Sequence, residues 1–246
     1  FGSTVSNCCF EMVDEAIVVT DFASVGTPLI LGISHNDIKC KVSGIRLSKI
    51  EVEDISFPIF QNLISSDAGS IADAGILLES CADSTDIKSN QNYIHDISTG
   101  IQLSEFYAKP YSSVQDSIKD VDIGLHANNA GNMSSNTVIN SSFMYIDSTA
   151  GNAFEINSDI NNLFLNVNDA MVNNSTSGVG ATGISEITVQ NTAFTNIRVN
   201  YIQIGANIGG DAPIQEIDGS NNTYEGIAGS SLSILQAMVV EDKMMH

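Results

Sequence analysis

Basic residues are scarce in this chain. Lysine and arginine together number nine, and only Arg46 and Arg198 are arginines, whereas aspartate and glutamate number 29, so the formal net charge is −20. Such a charge repels nucleic-acid phosphates and anionic membrane surfaces. The sequence therefore predicts no nucleic-acid partner. With only two arginines, the chain also lacks the usual groups for binding phosphates or acidic sugars.

Cysteines and long apolar runs are rare as well. The four cysteines, Cys8, Cys9, Cys40 and Cys81, are too sparse for a disulfide scaffold in a chain of 246 residues, and the adjacent pair lacks C-x-x-C spacing. We expect all four to be reduced and buried. No apolar run approaches the roughly 18 residues of a membrane span, and the first residues lack the regions of a signal peptide, so no membrane insertion is expected.

What the chain does contain is an internal repeat. "SIADAGILLES" at Ser70–Ser80 and "SIKDVDIGLHA" at Ser117–Ala127 share serine, isoleucine, aspartate and several apolar positions. The common element is an apolar residue, two variable residues, a second apolar residue and then an apolar-x-apolar strand. It occurs eight times, with anchors at Val52/Ile55, Ile71/Ala74, Ile94/Ile97, Ile118/Val121, Phe143/Ile146, Phe164/Val167, Phe194/Ile197 and Tyr224/Ile227. The second anchors recur every 19 to 30 residues, which is typical of one coil of a β-solenoid.

Alternating β-branched residues favour strands over helices in these coils, as in "EITVQNTAFTNIRVNYIQIG". The sequence predicts an all-β parallel β-solenoid of about eight coils, whose inward side chains stack about 4.8 Å apart from coil to coil. We expect Ile97, Val121 and Ile146 to lie one above another in its core.

Two kinds of segment depart from the pattern. "CFEMVDEAIVV" at Cys9–Val19 has apolar residues at helical spacing, which predicts a short helix that caps the N-terminal end of the solenoid. Residues 1–41 are then an N-terminal cap and leading segment, 42–235 the β-helix, and 236–246 a C-terminal cap or a continuation. Longer spacings at "DSTAGNA" and "NNSTSGVGATG" predict loops that leave the coil outline.

The segments "NSSFMYI" (140–146), "QNTAFTNI" (190–197) and "NNTYEGI" (221–227) resemble right-handed, single-stranded parallel β-helices of the pectate-lyase-like superfamily, over about residues 42–235. Within it the chain is most similar to bacteriophage tailspike and receptor-binding proteins. This resemblance implies a homotrimer in the virion tail that acts outside the cell, where it binds and often cleaves bacterial surface polysaccharide. The paired-aspartate, Gly-His-Gly and Arg-x-Lys signatures of polygalacturonases are absent, so the resemblance assigns no catalytic residue.

An acidic column precedes the second anchors. Its members are Asp54, Asp73, Asp96, Asp120, Tyr145, Asn166, Asn196 and Gly226. Carboxylates about 5 Å apart repel one another by roughly 3 kcal/mol for each neighbouring pair, and a Ca²⁺ ion held by Asp73, Asp96 and Asp120 would relieve that repulsion. The favoured interpretation has no cofactor. In it these residues occupy bends that tolerate left-handed backbone, and their carboxylates point into water.

A polar strip is predicted on the outside of the strands. It contains Leu77, Gln102, Gly124, Glu155 and Gln203, flanked by Glu79 and His126. Together with the aromatic loop "SEFYAKPY" (104–111), it gives a candidate carbohydrate-binding set of Gln102, Phe106, Tyr107, Tyr111, His126 and Gln203. The alternatives are an ordinary solvated sheet face and, for the loop aromatics, contact with a neighbouring subunit.

Catalysis is left open by the sequence. Hydrolysis of a glycosidic bond needs two carboxylates, about 5 Å apart in a retaining enzyme or about 6.5–9.5 Å apart in an inverting one. Glu105 and Glu155 are the acidic residues nearest the loop and the strip, and are the catalytic candidates. The alternative functions are a non-catalytic structural component of a virion, such as a decoration or baseplate spike, and a secreted bacterial β-helix adhesin.

Overall fold

The computed structural model describes residues 2–24, 30–52, 55–81, 85–106, 111–128, 137–157, 163–183, 186–204, 216–226 and 230–234. Every regular element in these ranges is a β-strand. The first strands are β1 Gly2–Ser6, β2 Cys9–Ser24, β3 Ile30–Ser34, β4 Asp37–Val52, β5 Ile55–Phe60, β6 Leu63–Ser66, β7 Ala72–Glu79, β8 Thr85–Asn90, β9 Tyr93–His95, β10 Ile97–Ser104, β11 Tyr111–Val114 and β12 Ser117–Val121. They are followed by β13 Ile123–Asn128, β14 Thr137–Ser142, β15 Tyr145–Thr149, β16 Asn152–Asn157, β17 Leu163–Asn168, β18 Met171–Asn173, β19 Ser177–Thr182, β20 Glu186–Gln190, β21 Ala193–Thr195, β22 Asn200–Ile204, β23 Glu216–Asp218, β24 Thr223–Glu225 and β25 Ser230–Ile234.

These strands form the three faces of a parallel β-solenoid. The first face is a nine-stranded sheet in the order β1-β3-β5-β8-β11-β14-β17-β20-β23. The other two faces belong to one sixteen-stranded sheet, because the long strand β4 turns a corner and pairs first with β6 and then with β7. We call the β6-β9-β12-β15-β18-β21-β24 side the second face and the β7-β10-β13-β16-β19-β22-β25 side the third face. The predicted fold class is confirmed, and the first face has nine strands, one more than the eight coils expected.

Apolar side chains stack in columns along the interior. On the third face one column joins residues at the centre of successive strands, namely Ile17, Ile45, Ile76, Ile101, Leu125, Phe154, Val179 and Ile202. All eight are buried. Burial of each such side chain contributes on the order of 1.5–3 kcal/mol, and each is buried by its neighbours in the column, so stacking between coils supplies the stability.

The prediction of a helix at Cys9–Val19 is wrong. This segment lies within β2, which pairs in parallel with β4. Phe10, Val13 and Ile17 have helical spacing because the pairing shifts register on both sides of Val13, where the strand turns the corner between the second and third faces. An irregular strand and a helix thus give the same apolar spacing here. The domain bounds stay a prediction. The predicted boundary between residues 41 and 42 falls inside strand β4, and residues 236–246 lie outside the described residues.

The prediction that Ile146 stacks on Val121 is also wrong. Ile146 pairs with Ile118, and Ile118 pairs with Ile94, whereas Val121 pairs with Thr149. The sequence "NNSTSGVGATG" forms no loop outside the coil over its described part, since Ser177–Thr182 is strand β19. "DSTAGNA" likewise provides the end of β15 and the start of β16. The small residues Gly178, Gly180 and Ala181 lack the alternation of large apolar and polar side chains that identifies a strand in a sequence.

The corner between the second and third faces depends on glycine. Gly44, Gly75, Gly100 and Gly124 occupy the same position in four successive coils and face the isoleucines of the second face. A Cβ atom on Gly100 would lie 2.6 Å from Cγ2 of Ile118 and 2.7 Å from the carbonyl oxygen of Gly124. A side chain at Gly100 would therefore force these neighbours to shift, although the coil after Gly124 has alanine, Ala153, at the equivalent position.

The cysteines are all free thiols. Cys40 and Cys81 are buried, and burial raises the pKa of the Cys40 thiol to about 11 and that of Cys81 to about 12. Cys8 and Cys9 are exposed, contrary to the expectation that all four are buried. No helix in the described part of the chain is long and apolar enough to cross a membrane.

Candidate functional site

A column of outward side chains runs along the third face, between the two buried positions of each strand. In order along the solenoid axis it contains Arg46, Leu77, Gln102, His126, Glu155, Gly180 and Gln203. We call this set the polar column. The structure thus brings together four of the predicted site residues, Gln102, His126, Glu155 and Gln203. His126 occupies the place expected for Gly124, which is buried at the corner of the coil.

The polar column contains a depression where Gly180 has no side chain. Glu155 and Gln203 precede and follow Gly180 in register, so their side chains stand on either side of a gap one residue wide. The depression has a volume of about 140 Å³ and is lined by Asn152, Glu155, Asn157, Gly180, Ala181, Thr182 and Gln203. A Cβ atom on Gly180 would lie 2.9 Å from Nδ2 of Asn152. Glycine therefore both opens the depression and leaves room for the amide at its edge.

Two amides hold the Glu155 carboxylate in place. Asn152 Nδ2 donates a hydrogen bond of 3.0 Å to Oε2 of Glu155, and Asn157 Nδ2 donates one of 3.1 Å to Oε1. Thr182 fixes Asn157 in turn, because its hydroxyl donates to Oδ1 of that residue at 2.8 Å. An ionised carboxylate accepts about four hydrogen bonds, so two of the positions on Glu155 are left for a ligand.

The neighbours along the column add polar groups without adding charge. On one side, Nε2 of His126 lies 4.0 Å from Oε1 of Glu155. Burial lowers the pKa of His126, against the opposing effect of Glu155, and so favours neutral imidazole at pH 7. On the other side, Oε1 of Gln203 accepts a 3.0 Å hydrogen bond from Asn200 Nδ2, which leaves the Nε2 group as the donor. Glu155 is the one acidic side chain in the lining.

The predicted aromatic part of the site lies elsewhere. Phe106 and Tyr111 are both fully buried in the core, with ring centroids 6.1 Å apart in an edge-to-face arrangement. Burial raises the pKa of Tyr111 above its usual range. Neither ring presents a face to a ligand on the surface, because the chain before and after the loop turns both into the stack of coils. Tyr107 lies outside the described residues.

The two candidate catalytic glutamates are far apart. Glu105 follows the end of β10 at a bend with φ of 48°, where it accepts a 3.0 Å hydrogen bond from the hydroxyl of Ser80. Glu155 lies in the middle of β16, two strands along the third face. Strand spacing and the rise along the strand place their Cα atoms about 14 Å apart. The Glu105 carboxylate bonds to Ser80 in the preceding coil, on the side away from β16, so the two do not form a close carboxylate pair.

The acidic column is a column of bends over part of its length. Asp96 and Asp120 lie above one another with φ of 54° and 53°, and Asn196 and Gly226 occupy later bends that also have positive φ. Tyr145 and Asn166 were predicted to belong to this column, but the residues that follow Asp120 in register are Ser148 and Asn174. Asp73 lies on a strand, and Asp54 lies outside the described residues. Among the described residues, no three histidine, cysteine or acidic side chains are grouped closely enough to hold a metal ion.

Several residues of the depression were missed in the sequence. Asn157 and Thr182 each follow the second buried position of a strand, after Ile156 and Ala181, and this recurrence was a usable signal. Asn152 and Gly180 gave no such signal, because their proximity depends on the 25-residue offset between β16 and β19.

The chain was compared with known proteins at three levels. No family model, no curated protein sequence and no solved structure matches it.

Proposed function

We propose that this β-solenoid binds a bacterial surface polysaccharide along the polar column, with one sugar unit seated in the depression over Gly180. The observation that carries the proposal is the lining itself, in which amide, hydroxyl and carboxylate groups surround a glycine floor. Sugar hydroxyls both donate and accept hydrogen bonds, and Glu155 supplies acceptors while Gln203 supplies a donor.

The shape of the site favours an extended polymer. The depression is smaller than the roughly 300–1,000 Å³ of sites that enclose a whole small ligand, so it fits one unit or one substituent of a longer chain. His126 and Gln102 continue the polar column away from the depression in steps of about 4.8 Å. Further units of a polysaccharide would lie over these side chains.

The biological setting belongs to the same proposal. The parallel β-solenoid and its sequence resemblance to phage tailspikes support a role in host recognition at the virion tail, as a homotrimer that acts outside the cell. We propose binding without cleavage, because Glu155 is the one carboxylate in the lining of the depression.

The proposal is tested with a substitution that fills the depression. Gly180→Leu keeps an ordinary backbone conformation and places an apolar side chain between Glu155 and Gln203. Polysaccharides extracted from candidate host bacteria are titrated against the wild type and this variant, with Thr188→Leu on the first face as the matched control. We expect at least about a tenfold loss of affinity for Gly180→Leu and none for the control, with no shortening of the polymer. Equal affinity of all three proteins would contradict the proposal.

A further inference from the structure

The charge at the depression determines which sugars suit it. Glu155 has two amide partners and a neighbouring imidazole that burial keeps neutral, so no cation balances its carboxylate among the lining residues. The surrounding protein has a net charge of −20. This field attracts cations to the surface and repels sugars that carry carboxylate, sulfate or phosphate.

We propose that the depression selects a sugar unit with a free, protonated amino group, and that Glu155 is its counter-ion. This inference rests on the proposed function. An ammonium group has three donors and suits the two open acceptor positions of a carboxylate, and hydrogen bonds between opposite charges are about twice as strong as neutral ones. An N-acetylated amine offers one donor, carries no charge and brings a bulkier group into a depression of about 140 Å³.

Asn152 and Asn157 make Glu155 the specificity-determining residue. Both amides donate to it, so the carboxylate is fixed before the ligand arrives and loses little conformational freedom on binding. Gly180 provides the access and protects this arrangement, because a Cβ atom there would lie 2.9 Å from Nδ2 of Asn152, the donor to Glu155.

The experiment compares two ligands that differ only at nitrogen. Short oligomers of β-1,4-linked glucosamine and the same oligomers after N-acetylation are titrated calorimetrically against the wild type, Glu155→Gln and Asp169→Asn. Asp169 is an exposed bend residue on the turn between the first and second faces, so Asp169→Asn removes the same charge away from the site and keeps a residue that tolerates positive φ. We expect the free-amine oligomer to bind the wild type and Asp169→Asn at least about tenfold more tightly than its acetylated form, and Glu155→Gln to bind both within about twofold.

The other outcomes overturn different statements. If Glu155→Gln retains the full preference, the amine is held by the general negative charge and the role of Glu155 is refuted. If the wild type binds both oligomers equally and Gly180→Leu abolishes both, glycan binding stands and amine selection fails. If neither oligomer nor any extracted polysaccharide binds, the proposed function fails as well.

Discussion

Asp116 is an acidic side chain that the interior encloses completely. Its Oδ1 atom accepts hydrogen bonds from the backbone N–H of Asn92 at 2.8 Å and from Nδ2 of the same residue at 2.9 Å. The hydroxyl of Ser113 donates to Oδ2 at 2.6 Å. These partners are neutral, and burial raises the pKa of Asp116 against their effect.

Replacing Asp116 by asparagine should therefore change how stability depends on pH. A raised pKa means that the folded state binds the proton more tightly, so the contribution of Asp116 is present in full below its unfolded pKa of about 4 and is lost as pH rises through the folded value. We expect the free energy of unfolding of Asp116→Asn, relative to that of the wild type, to increase as the pH rises above about 4. The increase is about 1.4 kcal/mol for each unit by which the pKa of Asp116 in the folded state exceeds its pKa in the unfolded state. Urea unfolding at a series of pH values measures it. A difference that stays flat with pH would refute the raised pKa.

Phe143 is a strained residue on the surface. It has φ of 55° and its side chain is 58% exposed. The equivalent turn residues of other coils include Asn7, Gln61 and Asp169, which are polar. A left-handed backbone costs a residue of this kind roughly 1–2 kcal/mol, and asparagine tolerates it best after glycine.

Phe143→Asn should accordingly stabilise the protein, by about 0.5–1 kcal/mol. Thermal and urea unfolding measure the change. Val199→Asn serves as the control, because Val199 is also an exposed apolar residue but is not among those with positive φ. A gain in both variants would point to lost surface apolarity, and a loss of stability in Phe143→Asn would contradict the strain argument.

At the scale of the element, polar ladders accompany the apolar columns. Inside the turn between the first and second faces, Asn36 donates to Asn62 at 3.0 Å, Asn62 to Asn92 at 2.9 Å, and Asn92 to Asp116. Outside the same turn, the side-chain amide of Gln61 donates to Gln91, and that of Gln91 donates to Gln115, with both hydrogen bonds 3.0 Å long. We call these the inner and outer amide ladders. Each satisfied hydrogen bond contributes about 0.5–1.5 kcal/mol, and loss of one buried partner costs more.

The glycine corner gives the prediction at this scale. Gly100→Ala places a methyl group 2.6 Å from a methyl of Ile118 and 2.7 Å from a backbone oxygen, neither of which moves cheaply. We expect a loss of about 1–3 kcal/mol in the free energy of unfolding. Gly32→Ala is the matched control, since its Cβ would meet nothing closer than 3.5 Å. Equal stability of the two variants would show that the corner relaxes easily.

At the scale of the whole molecule, the homotrimer remains a prediction. Leu77 belongs to the third face, and Phe60, which contacts the ring of His35 at 5.4 Å, belongs to the first. A cyclic trimer would join these two unlike faces in a head-to-tail manner. Light scattering of the full chain should give three times 26.1 kDa, and Phe60→Asp should reduce the mass toward one chain. A wild-type mass of one chain would exclude the trimer.

The coil architecture could be read from the sequence because its signal is local. Pairs such as Ile76/Leu78 and Ile101/Leu103 repeat at nearly constant spacing, and they do stack in register. The β2 segment was misread because a register shift at a corner changes apolar spacing from two to three or four. That shift depends on pairing with β4, which no local pattern records.

The candidate site was only half predictable for a similar reason. Gln102, Glu155 and Gln203 alternate with buried neighbours, so their outward direction followed from the pattern. The depression depends on which residue lies beside which in the next coil. An error of two positions in that offset puts the wrong residue beside Gln102, as the interchange of Gly124 and His126 shows.

Both amide ladders stop at the same coil, where Phe143 and Met144 follow Gln115 and Asp116 in register. Across this boundary the amide side chains no longer bond to one another inside or outside the turn, while the backbone hydrogen bonds of the turn continue. In a solenoid, stability is approximately a sum of nearest-neighbour couplings, so the end of both ladders removes one contribution to the coupling between these two coils. The coils that begin at Phe143 contain Glu155, Gly180 and Gln203, so the depression lies wholly on one side of this boundary, whereas the polar column continues across it to His126 and Gln102.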